Sequence, residues 1–452
     1  MTKRHNRKNT GTKQSGERTV LGSAYSYYSG VVRTSGRPTT AVGVKRLFAA
    51  ALLSGASMMA VGLAGTGPAR AAGSCLPQAG EGEQILCIGT FDETIAFDVE
   101  DVTVVLGEGA IVDTTDNHSE SFGSNIGIVV DGEGYQTVVN DGTVLTGDGY
   151  AGYGEEYDPV YGENHGIVAY ANEGYDARAV NSETGIIGTT GERGYGIFAE
   201  VDWGDEWGEG TASAVNDGSV STTGESSSGV VADGKYADVV NTGTIFTEGN
   251  EAAGVYAYGK YEADVYNSGE IETAGEYSDG IRAIIDEESN TGYIDVENAE
   301  GGLIRTYGDG SVGIVAQGPE VDVTNAGSIV TYSEYANGVS IEGQTVYLNN
   351  SGSIVTYGYE ADAVVASSEG IDTTTIVNTG LIAAYGEDSD AIQASGPTVR
   401  ITNNVVIEDD ELVARGVIYA EEGFAIDISE TDDARVYNYS VIDGSVEISA
   451  DE

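Results

Sequence analysis

Apolar and polar residues alternate along most of this chain, and the alternation restarts at a fixed distance from a recurring asparagine. After Asn267, the small or apolar residues Gly269, Ile271 and Thr273 stand at alternate positions, and the alternation resumes at Ile281. A period of two is typical of β-strands that bury one face. Each unit is therefore predicted to contain about three short strands with glycine-rich corners between them.

The unit recurs with a period of about 25 residues, and longer spacings hold insertions. The asparagines that open the units are Asn140, Asn181, Asn216, Asn241, Asn267, Asn298, Asn325, Asn350, Asn378 and Asn403. One such unit cannot bury its own apolar face, so neighbouring units must stack. The sequence therefore predicts an all-β protein, a parallel β-helix of roughly 11 three-strand coils.

Stacking in register places equivalent residues above one another, so each asparagine is expected to bond to the asparagines above and below it. One buried column is predicted from Ile245, Ile271, Ile304, Ile329, Ile354 and Ile382, which share one offset. The alternative is a meander in which Asn-x-Gly only marks hairpin turns. A meander does not require the third segment to begin thirteen residues after most of the asparagines, as it does here.

The N-terminus has the composition of a secretory signal. Residues 1–46 are basic, residues 47–65 are apolar, and small residues follow, so cleavage is expected after Ala71 or Ala72. A membrane anchor is the alternative for the apolar run. In an oxidising compartment, Cys75 and Cys87 are expected to form a disulfide.

These features divide the chain into four parts. The predicted parts are an extended signal peptide (1–71), an N-terminal cap with the disulfide (72–101), the β-helix (102–407) and degenerate last coils (408–452).

Charge narrows the range of partners. Without residues 1–71 the chain keeps nine Lys and Arg against 72 Asp and Glu, so it repels nucleic acid and anionic membranes. High charge together with 66 glycines is also found in disordered chains, but the periodic Ile, Val and Ala argue against disorder.

Three features occur together: a long signal, a cysteine pair after it, and the coils NTGTI, NSGEI, NAGSI, NSGSI and NTGLI. In this combination the chain resembles the passenger of a bacterial autotransporter. The resemblance implies a right-handed parallel β-helix, exported and displayed at the cell surface or outer membrane of a Gram-negative bacterium, or released from it. Members of that family carry a C-terminal β-barrel translocator, and no segment here fits one. The barrel is therefore expected as a separately encoded partner, or the reading frame is truncated.

The function predicted is that of an adhesin or structural spacer without catalysis, whose ligand is a surface glycan or protein. A secreted polysaccharide lyase or hydrolase on the same fold is the first alternative, and a non-functional fragment of a split gene is the second. No nucleophile elbow, zinc-protease motif or phosphate loop is present in the sequence.

Lys235 and Lys260 share an offset and are interpreted as solvated corner lysines. No cofactor is predicted, apart from calcium at the corner shared by Asp279, Asp362 and Asp390.

Aromatic residues are the candidate ligand contacts. Two groups occur, one in two inserted loops (residues 149–163 and 200–210) and one at a single offset in four successive coils. They are Tyr153, Tyr157, Tyr161, Trp203 and Trp207 in the loops, and Tyr307, Tyr332, Tyr357 and Tyr385 in the coils. Aromatic residues on loops over a rigid scaffold are where adhesion is expected, whereas stacked tyrosines also serve to stabilise a sheet.

Overall fold

Short β-strands joined by tight corners make up the computed structural model of this chain. It describes residues 73–76, 84–115, 125–147, 164–172, 174–204, 209–287, 289–369, 373–408 and 411–450. All of these residues belong to one unit. Ala71, Ala72, Tyr153, Tyr157, Tyr161 and Trp207 lie outside the described residues.

The strands are numbered along the chain. The first twelve are β1 (Ser74–Leu76), β2 (Gln84–Ile88), β3 (Thr90–Phe91), β4 (Ile95–Asp98), β5 (Thr103–Leu106), β6 (Ile111–Asp113), β7 (Ile128–Gly132), β8 (Gln136–Asn140), β9 (Thr143–Thr146), β10 (Ile167–Ala171), β11 (Ala177–Asn181) and β12 (Ile186–Thr189). Next are β13 (Ile197–Val201), β14 (Thr211–Asn216), β15 (Ser219–Thr222), β16 (Val230–Asn241), β17 (Thr244–Thr247), β18 (Val255–Asn267), β19 (Glu270–Thr273), β20 (Ile281–Ile285), β21 (Tyr293–Asn298), β22 (Leu303–Thr306), β23 (Ile314–Gln317), β24 (Glu320–Asn325), β25 (Ser328–Thr331) and β26 (Val339–Gly343). The last are β27 (Thr345–Asn350), β28 (Ser353–Thr356), β29 (Val364–Ser368), β30 (Thr373–Asn378), β31 (Leu381–Ala384), β32 (Ile392–Ser395), β33 (Thr398–Asn403), β34 (Val405–Glu408), β35 (Glu411–Arg415), β36 (Val417–Thr431), β37 (Asp433–Asn438) and β38 (Val441–Ala450).

Most strands pair in parallel with their equivalents in the next coil, which confirms the parallel β-helix. For example, β22 pairs with β25, β23 with β26 and β24 with β27. Within the described ranges, two pairings are antiparallel: β1 with β2, and the separate hairpin of β34 and β35. No helix in that part of the chain has the length and apolar character that a membrane span requires.

The coils extend beyond the predicted limits of the β-helix. Strands β2, β3 and β4 stack in register on β5, β6 and β7, so residues 84–98, which the sequence suggested for the cap, already form a coil. At the other end, β36, β37 and β38 continue the stack. The hairpin of β34 and β35 interrupts the sequence pattern there without ending the stack.

Isoleucine fills one side of the interior in an unbroken column. Ile329 lies opposite Ile304 in the coil before and Ile354 in the coil after, and all three are fully buried. Val330, the next residue, faces outward and is half-buried. The predicted isoleucine column is confirmed. Burying one such side chain stabilises the fold by about 1.5–3 kcal/mol.

The asparagines form a second inner column, as predicted. Each side-chain amide donates to the next asparagine Oδ1 over 2.7–3.0 Å, from Asn140 through to Asn403. The amide of Asn403 then donates to Asn438, an eleventh member that the weakened pattern after residue 405 concealed. At the other end, Leu106 and then Cys87 occupy the same column. Cys87 is joined by a disulfide to Cys75, its partner across the antiparallel pairing of β1 and β2.

Candidate ligand-binding surfaces

The outer surface of the stack carries its own columns, and the tyrosine column is the most regular. Neighbouring rings of Tyr307, Tyr332, Tyr357 and Tyr385 have centroids 4.8, 5.6 and 5.3 Å apart and lie within 13° of parallel. Between 39 and 50% of each residue is exposed. The structure therefore brings these four predicted residues together on one exposed stripe.

The stacking determines what the tyrosine column can offer a ligand. Because each inner ring lies face to face with two neighbours, its faces are covered, and the stripe presents ring edges and hydroxyl groups. Tyr419 extends the column past the hairpin with a ring tilted by 49°, 5.2 Å from Tyr385. The sequence analysis missed Tyr419 because it lies opposite Ala383, two residues before the offset that the other four tyrosines share. A role in ligand contact stays a prediction for these residues.

Trp203, from the second inserted loop, packs back onto the stack. Its indole nitrogen donates to Asp233 over 2.9 Å, and its ring stacks on Tyr258 at 5.1 Å. The hydroxyl of Tyr258 in turn donates to Asp286 over 2.7 Å. Burial raises the pKa of Asp233 to about 6, and the bond from Trp203 opposes part of that rise. Trp203 thus anchors its segment to the outer face of β16 and β18.

An apolar cluster covers the outer face of neighbouring strands. Val129, Val168, Phe198 and Val231 stand at equivalent outward positions of β7, β10, β13 and β16, yet all are buried. The ring of His165 is buried beside them, 5.2 Å from Phe198, and its Nδ1 accepts the backbone N–H of Tyr195. Alternation could not reveal this cluster, because apolar residues there occupy both faces of the strands.

Four aspartates form an outer column on the strands that carry the asparagines. Asp238, Asp264, Asp295 and Asp322 are direct neighbours in successive coils. Burial is the main cause that raises the pKa of Asp264 to about 8, and the negative charges of Glu262, Asp295 and Asp238 add to it. Burial, Asp295 and Glu320 raise that of Asp322 to about 6. Each aspartate precedes its asparagine by three residues, a constant offset that could have revealed the column in the sequence.

The corner aspartates considered for calcium bond to the protein itself. Asp279 Oδ2 accepts from Arg282 over 2.6 Å, and Asp279 Oδ1 accepts the backbone N–H of Val312. Asp362 Oδ1 likewise accepts the N–H of Asp390. The described residues contain no group of three or more His, Cys, Asp or Glu placed to hold a metal ion. These carboxylates tie one coil to the next.

Lys235 and Lys260 differ in burial, although they share an offset in the repeat. Lys235 is buried, at a shift in register between β16 and β18, so the interpretation as a solvated corner lysine is wrong for it. Lys260 is half-buried, and its Nζ lies 5.6 Å from the centroid of the Tyr261 ring. The shift in register breaks the equivalence that the shared offset suggested.

Comparison with known protein families gives a match over the C-terminal part of the chain. Residues 257–426, less than half of the chain, match the family described as the BigA third pectate lyase-like domain. No curated protein and no solved structure matches the chain. The matched segment includes the tyrosines from Tyr307 to Tyr385 and three of the column aspartates. The chain is therefore similar, over this segment, to a β-helix domain of bacterial surface proteins.

Proposed function

We propose that this protein is an exported β-helix of the autotransporter passenger type, which acts at the cell surface as an adhesin or structural spacer. The observation that carries the proposal is the continuity of the inner columns. Asparagine amides link successive coils from Asn140 to Asn438, and the isoleucine column runs beside them. Such a stack supports outward-facing residues at fixed spacing over many coils, as a display scaffold requires.

The outer surface supports adhesion at fixed positions. Aromatic residues are enriched where proteins bind partners, because they provide large contact area together with a polar group. The tyrosine column is exposed and ordered by stacking. Its partner in this proposal is a surface glycan or protein, while the net negative charge of the chain disfavours nucleic acid.

Labelling of intact producing cells with an antibody raised against the purified protein tests the display. We expect the protein, or protein released into the medium, to be labelled, while a cytoplasmic marker in the same cells, probed with its own antibody, stays unlabelled. A variant without residues 47–65 is the control, and it should remain inside the cell and unlabelled. Labelling of the full-length protein only after lysis would contradict the proposal.

Beads coated with the purified protein separate the two roles. An adhesin makes the beads attach to surfaces that carry its ligand, and replacement of Tyr332 and Tyr357 by alanine should reduce attachment. A spacer gives no attachment, although it is displayed at the surface.

A polysaccharide-cleaving enzyme is the second candidate, and one observation favours it. Asp233 and Glu200 are direct neighbours in adjacent strands, which lie about 4.8 Å apart, and the pKa of Asp233 is raised to about 6. Glycosidases use two such carboxyl groups, one of them protonated as the general acid. Release of reducing ends from polysaccharides, lost in Asp233→Asn and retained in Asp238→Asn, would support this candidate.

A further inference from the structure

A groove opens at the corner that precedes the asparagine strands, because three successive coils turn that corner with connections of different length. Seven residues join β20 to β21, two join β23 to β24, and one joins β26 to β27. Asn290, Thr291 and Gly292 of the long connection line the groove beside the two short connections. The resulting groove has a volume of about 520 Å³ and is lined by Tyr261, Asn290, Thr291, Tyr293, Glu320 and Gln344, among others.

The frame of the groove is fixed by the sheet. Tyr293, Glu320 and Thr345 are the first residues of β21, β24 and β27 and lie directly opposite one another. The backbone N–H of Glu320 donates to Gly292 over 3.1 Å, and that of Thr345 donates to Pro319 over 3.1 Å. These bonds fix the backbone that frames the groove, which is open to solvent.

The lining suits a ligand that combines apolar surface with many hydroxyl groups. Tyr261 and Tyr293 supply aromatic area. Asn290 and Gln344 each offer donors and an acceptor, and Thr291 offers a hydroxyl. A sugar ring carries C–H faces and a rim of hydroxyls, and it matches this set. A peptide would add to a sheet by pairing with a free strand edge, whereas β21, β24 and β27 are already paired on both sides.

Charge narrows the class of sugar. Glu320 lies in the groove, and Glu262, the direct neighbour of Tyr293 in the preceding coil, carries a second carboxyl group. The aspartate column runs alongside, two residues further along each strand, and Asp295 and Asp322 lie beside Glu320. Lys260 is the cation that lies over Tyr261, and the surrounding carboxylates outnumber it. Within about 8–10 Å such charges attract an amine and repel a carboxylate.

We propose that the groove binds an amine-bearing oligosaccharide, with the amine beside Glu320 and a sugar ring against Tyr261 or Tyr293. This proposal rests on the proposed function in one respect: both assume that ligands bind to the outward faces of the coils. It also predicts that acidic polysaccharides do not bind here.

Titration of the purified chain with an oligomer of glucosamine tests the proposal, with the N-acetylated oligomer and an oligomer of galacturonate as comparisons. We expect binding of the glucosamine oligomer, weaker binding of the N-acetylated form, and none of the acidic one. Glu320→Gln should weaken binding about tenfold, and Tyr261→Ala should weaken it by a similar factor. Glu334→Gln removes one exposed carboxylate at a different corner and should leave the affinity unchanged.

Thermal melts show whether each variant is folded, so that a loss of binding by a folded variant can be assigned to the groove. Absence of binding to the glucosamine oligomer by the folded wild-type protein overturns the inference. Equal affinity for the N-acetylated or acidic oligomer, tighter binding of a lysine-rich peptide, or an equal effect of Glu334→Gln overturns it as well. Binding without surface labelling of cells would reject only the proposed function, whereas labelling without binding would reject only the groove.

Discussion

The asparagine column and the aspartate column occupy the same strands, three residues apart, and they respond to stacking in opposite ways. Asn298 and Asn325 form a hydrogen bond of 2.7 Å inside the stack, because an amide both donates and accepts. Asp295 and Asp322 meet on the outside in the same register, and an ionised carboxylate can only accept. Identical neighbours therefore stabilise one column, whereas in the other they add to the rise in pKa that burial causes.

The strands keep the same backbone geometry from coil to coil, although their inner and outer faces differ in chemistry. Inside, any column must satisfy its own polar groups, since no water is available to do so. Outside, water screens part of the repulsion, so the fold tolerates four stacked aspartates. Four substitutions test this difference, from the largest expected effect to the smallest.

A charge in the isoleucine column should have the largest effect. Ile329→Asp places a carboxylate where the native residue has no exposed surface, and an unpaired buried charge is strongly destabilising. We expect a loss of more than about 4 kcal/mol in the free energy of unfolding, measured by denaturant titration. Val330→Asp, on the outer face, should cost about 1 kcal/mol or less. Equal damage from both would show that the register is wrong.

A carboxylate in the asparagine column should have the next largest effect. Asn325→Asp still accepts from Asn298, but it can no longer donate to Asn350 over the 2.8 Å that the native amide bridges. We expect a loss of about 3 kcal/mol. Asn349→Asp, the same change at the neighbouring outward position, is the matched control and should be nearly neutral. The interpretation fails if the two variants have the same denaturation midpoint.

Removal of a charge from the aspartate column should stabilise the protein, and by an amount that depends on pH. Folded Asp264 keeps its proton up to about pH 8, whereas the unfolded residue releases it near pH 4. Between these values the folded state binds more protons, so stability falls as pH rises from about 4 to about 8. Asp264→Asn should remove this dependence and add about 1 kcal/mol at pH 8, less than the whole shift implies because solvent screens the site.

Denaturant midpoints at pH 4 and pH 8 give the measurement for Asp264→Asn. The wild-type protein should lose stability relative to the variant as pH rises. A variant that is less stable than the wild type at pH 8 would mean that Asp264 has a stabilising partner.

The tyrosine column should give the smallest effect. Tyr332 stacks on two neighbours, and each aromatic pair contributes about 0.5–1.5 kcal/mol beyond its buried area. Tyr332→Ala should cost about 1 kcal/mol, and Tyr332→Phe should be nearly neutral since it keeps both ring contacts. A larger loss with Phe than with Ala would assign the stabilisation to the hydroxyl group.

The sequence by itself determined the period, the inner columns and their register. In a stack of parallel coils, residues at equal offsets become direct neighbours, so spacing along the chain is enough to place Ile304 against Ile329 and Asn298 against Asn325. The tyrosine column follows from the same rule. These features depend on contacts between equivalent positions, which a repeat makes visible.

Only the tertiary structure decided what the irregular segments do. Burial of Lys235 and the contact of Trp203 with Asp233 follow a bulge and an insertion, which break the equivalence of offsets. The ring of Tyr419 contacts Tyr385 from a different offset, opposite Ala383. The groove arises from the difference in length between three neighbouring connections, which no single connection reveals. The raised pKa values of Asp264 and Asp322 likewise depend on burial, because the cost of a charge is set by the atoms that replace water around it.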